Sequence, residues 1–219
     1  MRDSREFIAK NTAALLSDGE LINLGVGIPI RVPQYLPDNI HIMVHAEAGV
    51  IGCGKHAAPG DGDKYLIDAA GKETTLVPGG CCVDSALSFG LVRGGHLDTT
   101  ILGALQVDAC GDMANWMIPG KRAIGMGGAM DLSLCAKRVI VTMEHFSDTN
   151  GFKLLNRCTL PITCAGKVDT VVTELAILQI QEDRFVLTAI APDVTIDEVR
   201  EKTQANIEIA PTIGLMLEV

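Results

Sequence analysis

Five short aliphatic runs, each leaving through a glycine or a turn, set the frame for this chain: "LINLGVG", "IHIMVHAEAG", "TTLVPGG", "TTILGALQV" and "KRVIVTM". Runs this apolar suit strands covered on both faces, as when helices pack on either side of a sheet. Between and around them the period changes. From Glu6 to Leu16 apolar residues fall at helical spacing, and the pattern stops at the turn pair Asp18-Gly19; "VDSALSFGLVRGG" reads as a second helix, closed by Gly94 and Gly95. The β-α-β-α order predicts an α/β fold, an open and mostly parallel sheet flanked by helices. Ligands of such sheets sit beyond the C-terminal strand ends.

The 219 residues suit a single domain, 1–219, with a substantial core. Hydrophobic residues make up 47% but aromatics only 4%, so the core is aliphatic. With a mean hydropathy of +0.28, the apolar content exceeds what a monomer must hide and predicts a hydrophobic partner interface. A net charge of −9 argues against nucleic acid or an anionic membrane surface as partner. The opening "MRDSREFIAKN" puts charges where a secretion signal needs an apolar segment, and no run of 18 apolar residues exists, so a cytoplasmic chain is expected. Seven cysteines, without a CxxC pair or a histidine at zinc-ligand spacing, read as reduced thiols and predict no metal site.

Further along, residues 55 to 73 read as a polar loop, "VIGCG" continues the glycine-rich turn after Glu47, and "DTVVTELAILQI" and "RFVLTAI" read as strands joined by the turn "QEDR". Thr195 and Glu198 form a capping box that opens a last helix, with Val194 placed to staple onto Val199.

The glycine turns do not spell a nucleotide site. "GVGIPI" has Ile30 where a dinucleotide fingerprint needs a small residue, and neither this turn nor residues 49–54 carries the Lys-Ser or Lys-Thr of a P-loop. No Ser or Cys elbow accompanies the histidines, which removes a hydrolase triad. His45, two residues before Glu47 on a strand, falls on the same face. Glu47 itself, amid Gly, Ala and Val in "HAEAGVIG", is a poorly solvated carboxylate, suited either to acid–base work or to covalent attack. Attack on a thioester would yield an anhydride to which the thiolate can return, leaving an enzyme thioester. That cycle needs no metal, no histidine base and no nicotinamide. Small neighbours leave room for a bulky acyl thioester, and a glycine turn such as "GMGG" could offer backbone N–H groups to an oxyanion.

From about residue 5 to residue 205 the chain resembles the β subunit of the family I CoA-transferases, which act on 3-oxoacids and short-chain fatty acids. The blocks "LINLGVGIP", "YLPDNIHI", "DSALSFGLVRGGH", "LGALQVD", "ANWMIPGK", "GMGGAMDL", "VIVTMEH" and "CTLPIT" through "VVTELA" follow in the family's order. The resemblance implies an enzyme of class EC 2.8.3 that moves CoA from an acyl-CoA to a carboxylate such as acetoacetate, butyrate or acetate. It implies a ping-pong course through a γ-glutamyl-CoA thioester on Glu47. It further implies that Gly128, with Gly127, supplies oxyanion and CoA contacts, that Asn23, Gly25 and Gly27 line CoA, and that an α subunit completes the site in an α2β2 assembly. CoA enters as a substrate, with no permanently bound cofactor. The family's Ser-Glu-Asn-Gly reads Ala46-Glu47-Ala48-Gly49 here, which predicts a more apolar pocket favouring an aliphatic chain such as butyryl. Two other readings differ in class: a sugar-phosphate isomerase or deaminase with Glu47 as base, and a noncatalytic interaction subunit with Glu47 paired to a partner's cation.

Overall fold

A computed structural model describes residues 3–218 apart from 122, 124 and 150. Its centre is a ten-stranded sheet: β1 (Leu21–Leu24), β2 (Met43–Ala46), β3 (Val50–His56), β4 (Thr74–Cys82), β5 (Thr99–Gly103), β6 (Arg138–Thr142), β7 (Thr170–Val172), β8 (Ala176–Gln181), β9 (Arg184–Ile190) and β10 (Ile207–Leu215). The spatial order is β10-β9-β8-β7-β6-β5-β1-β2-β3-β4. The five strands β7-β6-β5-β1-β2 are mutually parallel. Antiparallel hairpins extend the sheet on both flanks, β2-β3-β4 on one and β7-β8-β9 on the other, with β10 parallel to β9 at the far edge. The open α/β sheet expected from the run order is therefore present, with a parallel centre and antiparallel wings.

Alternation along the central strands explains why they are mostly apolar. Ile101, Ile140 and Val172 point to one face, where they meet Phe7 and Ile8 of helix α1 (Ser4–Ala13). Their neighbours Leu102, Val139, Val141 and Val171 point to the other, packing with Val92 of α2 (Ser85–Arg93), Leu132 of α3 (Ala129–Cys135) and Val199 of α4 (Ile196–Glu201). With helices on both faces, the middle positions of these strands are buried whichever way they point.

Local signals that depend on one or two side chains are present at the Thr195 cap and the "QEDR" turn. Thr195 Oγ1 accepts from Glu198 N–H at 3.2 Å and opens α4. The "QEDR" turn joins β8 to β9 with Glu182 at φ 49° and Asp183 at φ 59°, the two left-handed residues of a type I′ hairpin. Four readings change. Helix α1 begins at Ser4, capped by Asp3, and ends at Ala13, three residues short of Leu16. The run "DTVVTELAILQI" is two strands, because Thr173 Oγ1 accepts from Leu175 N–H (3.2 Å) and Ala176 N–H (3.1 Å) and turns the chain between β7 and β8. The stretch 50–54, read as part of a glycine turn, and residues 55 and 56, read as the start of a loop, form strand β3, and Gly52 sits where a Cβ would lie 2.8 Å from both Gly80 Cα and Met43 Sδ. The run "TTILGALQV" likewise divides: β5 ends at Gly103, and Gln106–Asp108 joins a small separate sheet with Met113–Ala114 and Leu154–Leu155.

All seven cysteines are free thiols. Burial pushes the Cys53 thiol up to about 11 and, with Asp108 and Asp112 nearby, that of Cys158 up to about 12, so both stay protonated and unreactive near neutrality. No helix among the described residues is long and apolar enough to cross a membrane.

Buried His145 lies 2.9 Å from Thr173 Oγ1 through Nδ1 and 2.8 Å from Thr203 Oγ1 through Nε2. Its proton affinity falls from the ordinary 6.5 to about 4, chiefly by desolvation. A histidine that binds its proton less tightly when folded leaves stability intact above about 6.5 and subtracts from it as pH falls toward 4. The full effect is on the order of 3 kcal/mol. Urea unfolding at pH 7.5 and 4.5 should show this loss, and His145→Gln should flatten the difference.

Candidate active site

Because β1, β2, β5, β6 and β7 are parallel, their C-terminal ends share one edge, and the residues singled out by sequence meet it there. Glu47 follows β2 directly and opens a three-residue turn into β3, closed by Gly49 N–H donating to Ala46 O at 2.9 Å. Gly49 has φ +125°, and a Cβ on it would lie 2.1 Å from the Val83 carbonyl oxygen. Val83 N–H in turn donates to Gly49 O at 2.8 Å. The turn is thus pressed against the junction of β4 and α2, and only glycine fits.

The Glu47 carboxylate is half-buried and reached from β1. Asn23, fully buried, stands opposite His45 of β2 and Thr100 of β5. Its Nδ2 donates to His45 O at 3.0 Å and to Glu47 Oε2 at 3.3 Å, while Thr100 Oγ1 donates to Asn23 Oδ1 at 3.3 Å. The threonine therefore fixes the amide with its donors toward the carboxylate. Among the described residues Glu47 has no ion-pair partner. A neutral amide orients the carboxylate without tying its oxygens into an ion pair.

Helix α2 supports the turn from behind. Asp84 caps it by accepting from Leu87 N–H at 2.8 Å, which aims Ser88 inward, and Ser88 Oγ donates to Glu47 O at 2.9 Å. His45 Nε2 lies 2.8 Å from the same hydroxyl. Arg93 Nε donates to Asp131 at 2.8 Å, tying α2 to α3. At the start of α3, Gly128 is buried, and a Cβ there would lie 3.1 Å from Phe89 Cζ and 3.3 Å from Glu47 Cγ.

Glu47, Asn23 and Gly128 are therefore brought together. Gly127 adjoins them, exposed and at φ +56°. Gly25 commits its N–H to Ile101 O at 2.8 Å and serves the approach of β1 to β5. Gly27 lies further along the edge, lining an open cavity of about 300 Å³ with Arg31, Gly103, Thr142 and Lys153. The two alanines beside the glutamate also part company. Ala46 is buried with Val50 and Cys53, its side chain turned away from the carboxylate, and only Ala48 is exposed at the turn. Strand alternation sets 46 on the opposite face from 45 and 47.

Ser88 and Thr100 were not singled out by sequence. The signal for Ser88 was present: it shares a helical stripe with Val92 four residues on, and a hydroxyl in a buried stripe needs a partner. Nothing local marks Thr100. Among the described residues, no group of three His, Cys, Asp or Glu side chains could hold a metal ion.

The chain is similar to known proteins over most of its length. The family model described as Coenzyme A transferase matches residues 5–202. A probable coenzyme A transferase subunit beta of Bacillus subtilis is 45% identical over 94% of this chain and 94% of its own length. The acetate CoA-transferase subunit beta of Haemophilus influenzae is 44% identical over 95% of this chain and 93% of its own. Among solved structures, the apoenzyme of an acyl-CoA transferase from Escherichia coli O157:H7 shares the fold with a TM-score of 0.79 at 22% identity; the match covers 98% of this chain and 43% of that one.

Gly49→Ala should lower stability by roughly 2 to 4 kcal/mol, since it adds a strained positive φ to a clash with a backbone carbonyl. A thermal unfolding scan measures this, and a shift under 2 °C would mean that the turn is not held against Val83.

Proposed function

The chain belongs to the coenzyme A transferase family, and we propose that it is the β subunit of an enzyme moving CoA from an acyl-CoA to a short-chain carboxylate or 3-oxoacid, with Glu47 as the nucleophile. The observation that carries this reading is the pairing of an uncharged donor, Asn23 Nδ2, on Glu47 Oε2 with a side-chain-free backbone, Gly128, against Glu47 Cγ. The first leaves a reactive anion oriented, and the second leaves space beside it for the thioester carbonyl.

In the proposed course the Glu47 carboxylate attacks the thioester carbonyl, and the tetrahedral oxyanion collapses with loss of CoA thiolate to an acyl-glutamyl anhydride. The thiolate then attacks the glutamyl carbonyl, expelling the product carboxylate and leaving γ-glutamyl-CoA. The acceptor acid reverses both steps. One carboxylate enters and one leaves, so the thioester's free energy is conserved throughout. The Gly127-Gly128 backbone is the proposed oxyanion donor, worth about 3 to 4 kcal/mol of barrier. Metals and bound cofactors take no part in the scheme, and CoA is a substrate.

A second chain is part of the proposal. Val26 after β1, Leu87 on α2 and Met130 and Leu134 on α3 are exposed around the same edge, where water would hydrolyse an anhydride. An α subunit seated there, in an α2β2 assembly, would cover them and complete the CoA groove. The relatives named as beta subunits support this. Acetate, butyrate and acetoacetate are the proposed acids and the cytoplasm the proposed location, with neither membrane nor nucleic acid as partner.

In the assembled enzyme, Glu47→Gln should abolish transfer. Acyl-CoA without acceptor, followed by borohydride, should reduce the thioester to an alcohol on the "HAEAGVIG" peptide, as read by mass mapping. Intact transfer in Glu47→Gln would instead favour an interaction role for this residue. Glu47→Asp withdraws the oxygens by about an ångström and should cost about 100-fold in turnover. Gly128→Val should impair turnover well beyond any loss of folding, because its branched side chain would occupy the space beside Glu47 Cγ.

A further inference from the structure

We propose that His45 and Ser88 act as a positioning pair for the nucleophile turn, with His45 held as the neutral Nε2–H tautomer so that the Ser88 hydroxyl proton is reserved for the Glu47 carbonyl. This rests on the reading of Glu47 as nucleophile and adds to it a device behind the turn.

Proton counting carries the argument. A serine hydroxyl has one proton. The Glu47 carbonyl only accepts, so in the 2.9 Å contact the proton belongs to Ser88 and points at Glu47 O. The 2.8 Å contact between Ser88 Oγ and His45 Nε2 then has one possible sense, with the imidazole donating. A neutral ring carrying its proton on Nε2 has a lone pair on Nδ1. That atom is buried with no hydrogen-bond partner among the described residues. The other tautomer would place an N–H where no acceptor waits. It would also turn Nε2 into an acceptor competing for the Ser88 proton, releasing Glu47 O. Both side chains are sealed from solvent, His45 at 1% and Ser88 at 0% exposure, so water cannot substitute for either contact. Burial also disfavours the imidazolium, with the Glu47 carboxylate opposing more weakly.

The consequence falls on the carboxylate. Glu47 O lies in the turn itself, beyond the β1–β2 pairing that ends at Asn23 opposite His45. Ser88 supplies the donor that a neighbouring strand would otherwise give. With Glu47 O held from α2, and with His45 O and Glu47 Oε2 both held by Asn23, the peptide plane and the side chain of Glu47 are anchored from two independent elements. Released, the 47–48 peptide would rotate and carry the carboxylate with it.

The test uses the assembled enzyme with acetyl-CoA as donor and butyrate as acceptor. Ser88→Ala and His45→Leu should each lower kcat by roughly tenfold to 100-fold, with the acyl-CoA KM within about threefold of wild type. The double variant should be no slower than the worse single one, since both break one chain. His45→Gln, whose amide can donate to Ser88 from nearly the same place, should restore most of kcat. Nitrogen-15 NMR of His45 should show the Nε2–H form at neutral pH. Additive losses, a failure of glutamine to rescue, or an Nδ1–H ring would each overturn the pairing. Wild-type kcat in Ser88→Ala and His45→Leu alongside an inactive Glu47→Gln would sink the positioning pair alone. Active Glu47→Gln would sink the nucleophile reading beneath it.

Discussion

The parallel placement of β1 between β2 and β5 is the constraint on which the rest of this molecule turns. It sets Asn23 opposite His45 on one side and Thr100 on the other, and so delivers one amide to a carbonyl, a carboxylate and a hydroxyl at once. A slip of one residue would send Asn23 to the opposite face and replace it with an aliphatic neighbour, Ile22 or Leu24. Register at the centre of the sheet is thereby also the specification of the site. The apolar faces enforce it, because Ile22 belongs to the core beneath α1 and has nowhere else to go.

The two wings of the sheet divide other duties. On the β8-β9-β10 side the hairpin and α4 close the core with Leu178, Phe185, Leu187 and Val199. On the β3-β4 side the core is small, and strand β4 is mostly exposed. This lighter wing nevertheless fixes Gly49 through Val83, so the β3-β4 hairpin is pinned at its base, where geometry matters. Backbone contact supplies here what side-chain packing does not.

Much of this was legible in the sequence, for reasons that can be stated. The five aliphatic runs announced strands covered on both faces, and the Thr195 cap and the "QEDR" turn depend on residues within three positions of one another, so local chemistry decided them. The glutamate in a glycine-rich, small-residue setting was equally visible. What failed did so at points where distant chain decides. Gly52 and Gly54 in "VIGCG" read as a turn, yet the partners β2 and β4 make the stretch a strand and use the missing side chains for close approach. Thr173 broke a run that composition alone joins. Ala46 and Ala48 look equivalent around Glu47, and only the pleat separates them. Ser88 and Thr100 acquire their roles from contacts 41 and 77 residues away in sequence, which no local pattern records.

Those separations bear on how the chain comes into being. The carboxylate leaves the ribosome early, but its orienting amide is useful only once β1 and β2 have paired, its carbonyl clamp waits for α2, the threonine that aims the amide waits for β5, and the glycine beside its Cγ arrives at residue 128. Non-local contacts of this kind form late. A growing chain therefore carries Glu47 at first without these neighbours, and the site around it is acquired as a property of topology, at the moment the parallel centre closes.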